Sequence, residues 1–121
     1  MNHPIHLGDI EIVGESYNTN EIRKVIRIAT GAAPSRDGGE ITDLPGYLIP
    51  EPDNQYDDEA VAVYIGSHKV GHLESGWCED DDQLRHLMRL WYAGTPASVP
   101  LRIGWGPAMR FGVTFEAGFI R

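Results

Sequence analysis

Cysteine is nearly absent: Cys78 stands alone in 121 residues. An internal disulfide is therefore excluded, and a zinc site built on thiolates has too few of them. No apolar run approaches the ~18 residues that a membrane-spanning helix needs. Residues 1–6 have neither a basic start nor an apolar stretch, so no signal peptide is expected and a cytoplasmic location follows by default. Catalytic signatures are missing as well. There is no glycine-rich phosphate loop ending in Gly-Lys-Ser/Thr, no Gly-x-Ser-x-Gly elbow and no His-x-Glu with paired cysteines. His3, His6, His68, His72 and His86 provide no ligand pair four residues apart on one helix. An enzyme is not expected from this chain alone, and neither is a metal or other cofactor.

Positive charge is also scarce. Ten Lys and Arg face eighteen Asp and Glu, for a formal charge of -8. The imbalance is local. Residues 51–59 and 74–82 hold five acidic residues each and no Lys or Arg, which leaves the rest of the chain at +2. This distribution argues against a wide phosphate-neutralising surface, but a small pocket reading one nucleic-acid end remains compatible with it. A hydrophobic content of 41% and a charged content of 23% fit one soluble globular domain spanning residues 1–121.

The most informative stretch is 51–73, where a polar segment is fused to a hairpin. Residues 51–59 carry Pro52, Tyr56 and five carboxylates, which cannot be buried as a strand and read as a loop. From Ala60 the chain turns to Ala-Val-Ala-Val-Tyr-Ile, with Val61, Val63 and Ile65 on one side of a period-two strand. Gly66-Ser67 suits a two-residue type II′ turn, and His68–Leu73 returns as the partner strand. An irregular loop on a rigid mount is a common place for binding residues.

Around this centre the chain reads as strand, helix, strand, hairpin, helix and two strands. Leu7 to Ser16 suggests a first strand ending at Gly14, after a tail, residues 1–7, expected to be flexible. Asn18-x-x-Glu21 has the form of a capping box. Ile22, Val25, Ile26 and Ala29 make one helix stripe, with Arg23, Lys24 and Arg27 opposite, and Gly31 ends the helix. Residues 31–40 read as a flexible loop. Ile41 to Ile49 is a strand with a bend expected at Pro45-Gly46. Acidic residues at 79–82 suit the positive end of a helix dipole. Leu84, Leu87, Met88 and Trp91 continue that helix to about Tyr92, where Gly94 and Pro96 stop it. Ser98–Gly104 and Phe111–Ile120 close the chain as strands, joined by a turn at Gly104-Trp105-Gly106-Pro107. Many short strands and little helix predict a mainly β fold with two short helices (α+β), arranged as a small, partly open β-barrel.

The run Asn54-x-Tyr56-Asp57-x-x-Ala60-Val61-x-Val63, followed by Lys69-Val70-Gly71-His72-Leu73, resembles the core of the HIRAN domain. Val13-Gly14-Glu15-Ser16-Tyr17 is similar to that family's opening signature, and the likeness spans roughly residues 8–93. The resemblance implies a modified OB-like barrel carrying two helices. It also implies that Tyr56 and Asp57 recognise the 3′ end of single-stranded DNA, that Tyr17 stacks on DNA, and that His72 faces the pocket. HIRAN domains often sit beside helicase-like ATPase or nuclease modules, so a partner chain of that kind and a place in DNA repair or processing are implied. Two departures stand out. Ser16 lies where some DNA-binding members carry a basic residue, which removes a phosphate contact, and residues 31–40 are longer than the pattern usually has.

Each candidate has chemistry of its own and a structural alternative. A carboxylate at Asp57 accepts a hydrogen bond from a sugar hydroxyl and repels a phosphate, while Tyr56 beside it can stack on a base. Equally, Asp57 can cap a turn and Tyr56 can cover the barrel edge. Tyr17 is a second stacking platform or a rim aromatic. Asn54 can meet a base or phosphate, or fix the loop by an Asx-turn. His72 and Lys69 can meet a phosphate or serve as ordinary strand residues, and the basic face at Arg23, Lys24 and Arg27 can track a strand or be solvated. Trp105 and Phe111 are stacking candidates or core. The acidic loop lacks the central glycine and distal glutamate of an EF-hand. The expected function is binding of a single-stranded DNA 3′-OH end. A protein-interaction domain of the same fold without DNA binding is the alternative, and a hydrolase using Asp57 with Glu74 ranks last.

Overall fold

The computed structural model describes residues 5–6, 10–78, 81–116 and 119–120. Within these the fold is mainly β with two helices: β1 (Ile5–His6), β2 (Ile12–Val13), a 3-10 turn (Glu15–Tyr17), α1 (Thr19–Thr30), β3 (Gly39–Pro50), β4 (Val61–Ile65), β5 (His68–Leu73), α2 (Asp81–Tyr92), β6 (Ala97–Trp105), β7 (Phe111–Phe115) and β8 (Phe119–Ile120). Strands β2 to β7 form one antiparallel sheet in the order β2-β5-β4-β3-β6-β7. It curls into a nearly closed barrel whose two edges are β2 and β7. Separately, β1 pairs with β8, so Ile5–His6, within the stretch read as a tail, is joined to the far end of the chain.

Period-two patterning explains the sheet. Along β6, Ala97, Val99, Leu101 and Ile103 are buried while Ser98, Pro100 and Arg102 point out. Val61, Val63 and Ile65 of β4 join the same core. From α1, Ile22, Val25 and Ile26 close over it, each contributing about 1.5–3 kcal/mol of burial. Ala29, the fourth residue of the expected stripe, is exposed. Gly31 terminates α1 with φ 78° and its N–H on the Arg27 carbonyl.

Several expectations are corrected. The capping box is not formed: Asn18 Nδ2 donates to the Gly14 carbonyl, and Glu21 turns to His68 and Lys24. The irregularity in β3 lies at Asp43, not at Pro45-Gly46. Register shifts between Ile41 and Leu44, Asp43 has φ 56°, and its N–H is caught by Glu116 Oε2 at 3.0 Å. Gly46 instead makes room for Leu101, whose Cδ1 would stand 2.4 Å from an added Cβ. The 31–40 loop is shorter than expected, because Gly39 and Glu40 already pair with Trp105 and Gly104. Trp105 lies over it, its Nε1 donating to the Ser35 carbonyl at 2.9 Å. On α2, Leu87 is fully buried but Trp91 is 41% exposed, so the buried face turns toward Leu84, Leu87 and Leu90. The dipole argument for residues 79 and 80 concerns positions outside the described residues. The Gly66-Ser67 turn is as expected, with positive φ at Gly66 and not at Ser67.

One side chain bridges the two edges of the barrel. Beyond Val13, Gly14 takes φ 83° and starts the 3-10 turn. Glu15 Oε2 then accepts the Val113 N–H of β7 at 3.2 Å. A carboxylate from one edge thus satisfies a donor on the other. Replacing Glu15 by Ala leaves that half-buried N–H without its partner, and unfolding stability should drop by about 1–2 kcal/mol, read as a lower urea midpoint at unchanged slope.

Candidate nucleic-acid interface

The loop that carries Asn54, Tyr56 and Asp57 joins β3 to β4. Its base is a continuation of their ladder: the Glu51 N–H donates to the Ala60 carbonyl at 2.8 Å. Inside it, Asn54 Oδ1 accepts the N–H groups of Tyr56 (2.9 Å) and Asp57 (3.1 Å). Asp57 Oδ1 accepts the Glu59 N–H at 2.9 Å. These are Asx-type turns, which use a side-chain oxygen to mimic a backbone acceptor. The exit is pinned by the buried Trp77, whose Nε1 donates to the Glu59 carbonyl at 2.9 Å. The loop is therefore held at both ends and in the middle. It leaves Tyr56 89% exposed.

The residue that organises this region is Glu51, which sequence reasoning did not single out. Its Oε2 takes Lys69 Nζ at 2.9 Å; its Oε1 takes His72 Nε2 at 2.7 Å and Asn54 Nδ2 at 3.3 Å. A simple strand would place Lys69 and His72, three apart, on opposite faces. They share a face because β5 is bulged. Lys69 lies opposite Tyr64 and His72 opposite Ala62, but Gly71 lies opposite Val63, so Val70 is one residue too many. Ala62, between His72 and the strand leading to Glu51, is small enough to let the carboxylate reach across. Gly71 fits because β2 runs close by: an added Cβ would stand 2.6 Å from the Val13 carbonyl oxygen.

The electrostatics follow from this geometry. Partial burial alone would push the Glu51 carboxyl up. Hydrogen bonds from Lys69, His72 and Asn54 outweigh it and hold the group below its ordinary value. Glu21 is also held low, first by its hydrogen bond to His68 and then by Lys24. Nearby, Asp57, Asp58 and Glu59 bring carboxylate oxygens within 4.8 Å of one another, a concentrated negative patch.

The structure gathers five of the six sequence-chosen residues around one loop and one strand. Asn54, Tyr56 and Asp57 are linked by hydrogen bonds, and Lys69 and His72 meet Asn54 through Glu51. Tyr17 is one strand further on. Val13 pairs with His72, and the 3-10 turn after β2 presents Tyr17 93% exposed. Among the described residues, no hydrogen bond or ring contact joins Tyr17 to the loop. Lys69 Nζ and His72 Nε2 are both already engaged by Glu51, so an incoming phosphate must compete with that carboxylate. Trp105 and Phe111 pack on each other at 6.0 Å and lie against the core. Glu74 Oε1 accepts the Glu11 N–H at 3.0 Å, so that carboxylate is engaged with the backbone just before β2.

Sequence reasoning also missed a groove of about 450 Å³ between the loop and the end of α2, lined by Pro50–Asn54 with Trp91 and Tyr92. Its only local signal in the sequence is the pair of aromatics at the end of a helix, Trp91 and Tyr92. No family model, curated protein or solved structure matches the chain.

A depressed carboxyl contributes stability that is complete above its unfolded value, about 4.3 for Glu, and is lost as pH falls through the lower folded value. Glu51→Gln should therefore be less stable than wild type by about 1–2 kcal/mol near neutrality. The difference should shrink toward zero in the acid range below pH 4. Urea midpoints across that pH range for both proteins check it.

Proposed function

We propose that this protein is a HIRAN-like module that binds the 3′-OH end of single-stranded DNA and acts by binding rather than catalysis. The observation that supports this most is the presentation of Tyr56: a phenol ring almost wholly in water, on a loop fixed by three Asx-type hydrogen bonds, beside Asp57. A large apolar ring held rigid and uncovered is suited to stacking on a base. Stacking of this kind contributes about 1–3 kcal/mol per base, and pre-organisation lowers the entropy lost on binding. The carboxylates of Asp57, Asp58 and Glu59 accept a hydrogen bond from a terminal hydroxyl and repel a terminal phosphate. Tyr17 takes a neighbouring base, and Asn54 holds the loop while His72 and Lys69 lie at its foot. In this reading the end is supplied by, or handed to, a helicase-like ATPase or nuclease partner during DNA repair or processing.

A second reading is favoured by one observation. Glu51 engages both Lys69 and His72, and the aromatic groove that it helps to line carries Asp53 and no Lys or Arg. A protein-interaction surface for a basic partner segment fits that chemistry. Titration of single-stranded DNA at low salt separates the two, because an absence of binding there favours the protein partner.

The direct test compares two oligonucleotides that differ only at the terminus. The 3′-OH form should bind at least about fivefold more tightly than the 3′-phosphate form, since one close like-charge contact in water costs about 1 kcal/mol. Asp57→Asn should narrow that ratio, and Tyr56→Ala should weaken binding of the 3′-OH form by about 5- to 150-fold. Equal binding of both termini by the wild type contradicts the reading.

A further inference from the structure

An acidic chain whose loop-side Lys69 and His72 are already held by Glu51 needs another contact for a phosphodiester backbone. A concavity of about 250 Å³ lies between α1 and the segment after it, lined by Arg23, Lys24, Arg27, Ala33 and Pro34. Three cations and no carboxylate line it, in a molecule with a formal charge of -8. Arg23 and Arg27 are four apart and so share one helix face. Lys24 is shared with Glu21 at 3.1 Å, but Arg27 has no carboxylate partner among the described residues. Arg23 is held in place by Phe111, its guanidinium carbon 5.3 Å from the ring centroid. A guanidinium so oriented keeps N–H donors for an anion, and two on one face suit successive phosphates. The pocket is also well placed. Tyr17 lies two residues before α1, and from Thr19 to Arg27 the helix advances about 12 Å. A strand whose end lies at Tyr56 and Asp57 and whose next bases pass Tyr17 is led onto this face.

We propose that Arg23 and Arg27 form a backbone-phosphate subsite of the DNA path, with Lys24 at its edge. This rests on the end-binding reading above and extends it: the loop takes the terminus and the helix takes the phosphodiester charge. Affinity therefore grows with strand length.

The test uses a 3′-OH thymidine trimer, a 3′-OH thymidine dodecamer and inorganic phosphate, with the full chain. Three proteins are compared: wild type, Arg23→Gln/Arg27→Gln, and an equal-charge control, Arg85→Gln/Arg89→Gln on α2. Circular dichroism and urea midpoints confirm folding of each. In wild type and control the dodecamer should bind about tenfold more tightly than the trimer. In the α1 variant the two should bind alike, and the salt dependence for the dodecamer should flatten by about 1.4 in slope, for two single-strand phosphate contacts. An unchanged length gain in the α1 variant, or an equal loss in the control, overturns the subsite. If inorganic phosphate at equal ionic strength removes binding of both oligonucleotides equally, the pocket is a free-anion site and the proposal also falls. If the dodecamer binds through the arginines and the trimer does not bind, the subsite stands and the end-binding reading fails. If neither binds, both fail.

Discussion

The contact between Glu51 and the pair Lys69 and His72 fixes how the irregular loop sits on the sheet. A ten-residue polar connection between two strands has no core of its own. It holds its shape because a half-buried carboxylate at its first residue reaches across β4 to Lys69 and His72 on β5, and takes Asn54 on the way. Each hydrogen bond to a charged group is worth about 1.5–3 kcal/mol when shielded and less when wet, so the network is a modest energy with a large geometric consequence. Without it, Asn54 would lose one of the anchors from which it orders Tyr56 and Asp57. The bulge at Val70 is part of the same device, since it alone brings Lys69 and His72 to one face.

The same network sets the electrostatic character of the surface. Glu51 engages Lys69 and His72, and the neighbouring carboxylates of Asp57, Asp58 and Glu59 leave an acidic patch on the loop. Arg23 and Arg27 on α1 instead line a concavity that has no carboxylate in its lining. Glu15 joins the two barrel edges at Val113, and the pairing of Val13 with His72 sets the start of the Tyr17 turn beside β5. Position, rather than net charge, then decides what the molecule can hold.

How much of this could be read from the chain varies with the range of the interaction. Elements governed by local periodicity were legible: the 61–73 hairpin, the face of α1 and its glycine stop, and the mainly β barrel class. The loop at 51–59 was legible because five carboxylates cannot be buried together. Features set by distant partners were not. Glu51 looks like one more acid in a run until β5 is folded against it. The Val70 bulge leaves no mark in the hydrophobic pattern, since Val70 is apolar in any register. Trp105 reads as a turn or groove aromatic and is instead a fastener for the Ser35 carbonyl, as Trp77 is for the Glu59 carbonyl. Trp91 keeps the helical spacing of α2 but lies at the edge of its buried face, 41% exposed. The site was thus legible as residues, and only partly as an arrangement.

The claim that the loop and the β2 turn serve one ligand is tested most directly by mapping which backbone amides shift when a short 3′-OH oligonucleotide is added to isotopically labelled protein. The account predicts one contiguous set of shifts covering 54–58, the turn around Tyr17, and His72. Shifts confined to the groove at Trp91 and Tyr92, or scattered without any at Tyr56 and Asp57, would contradict it.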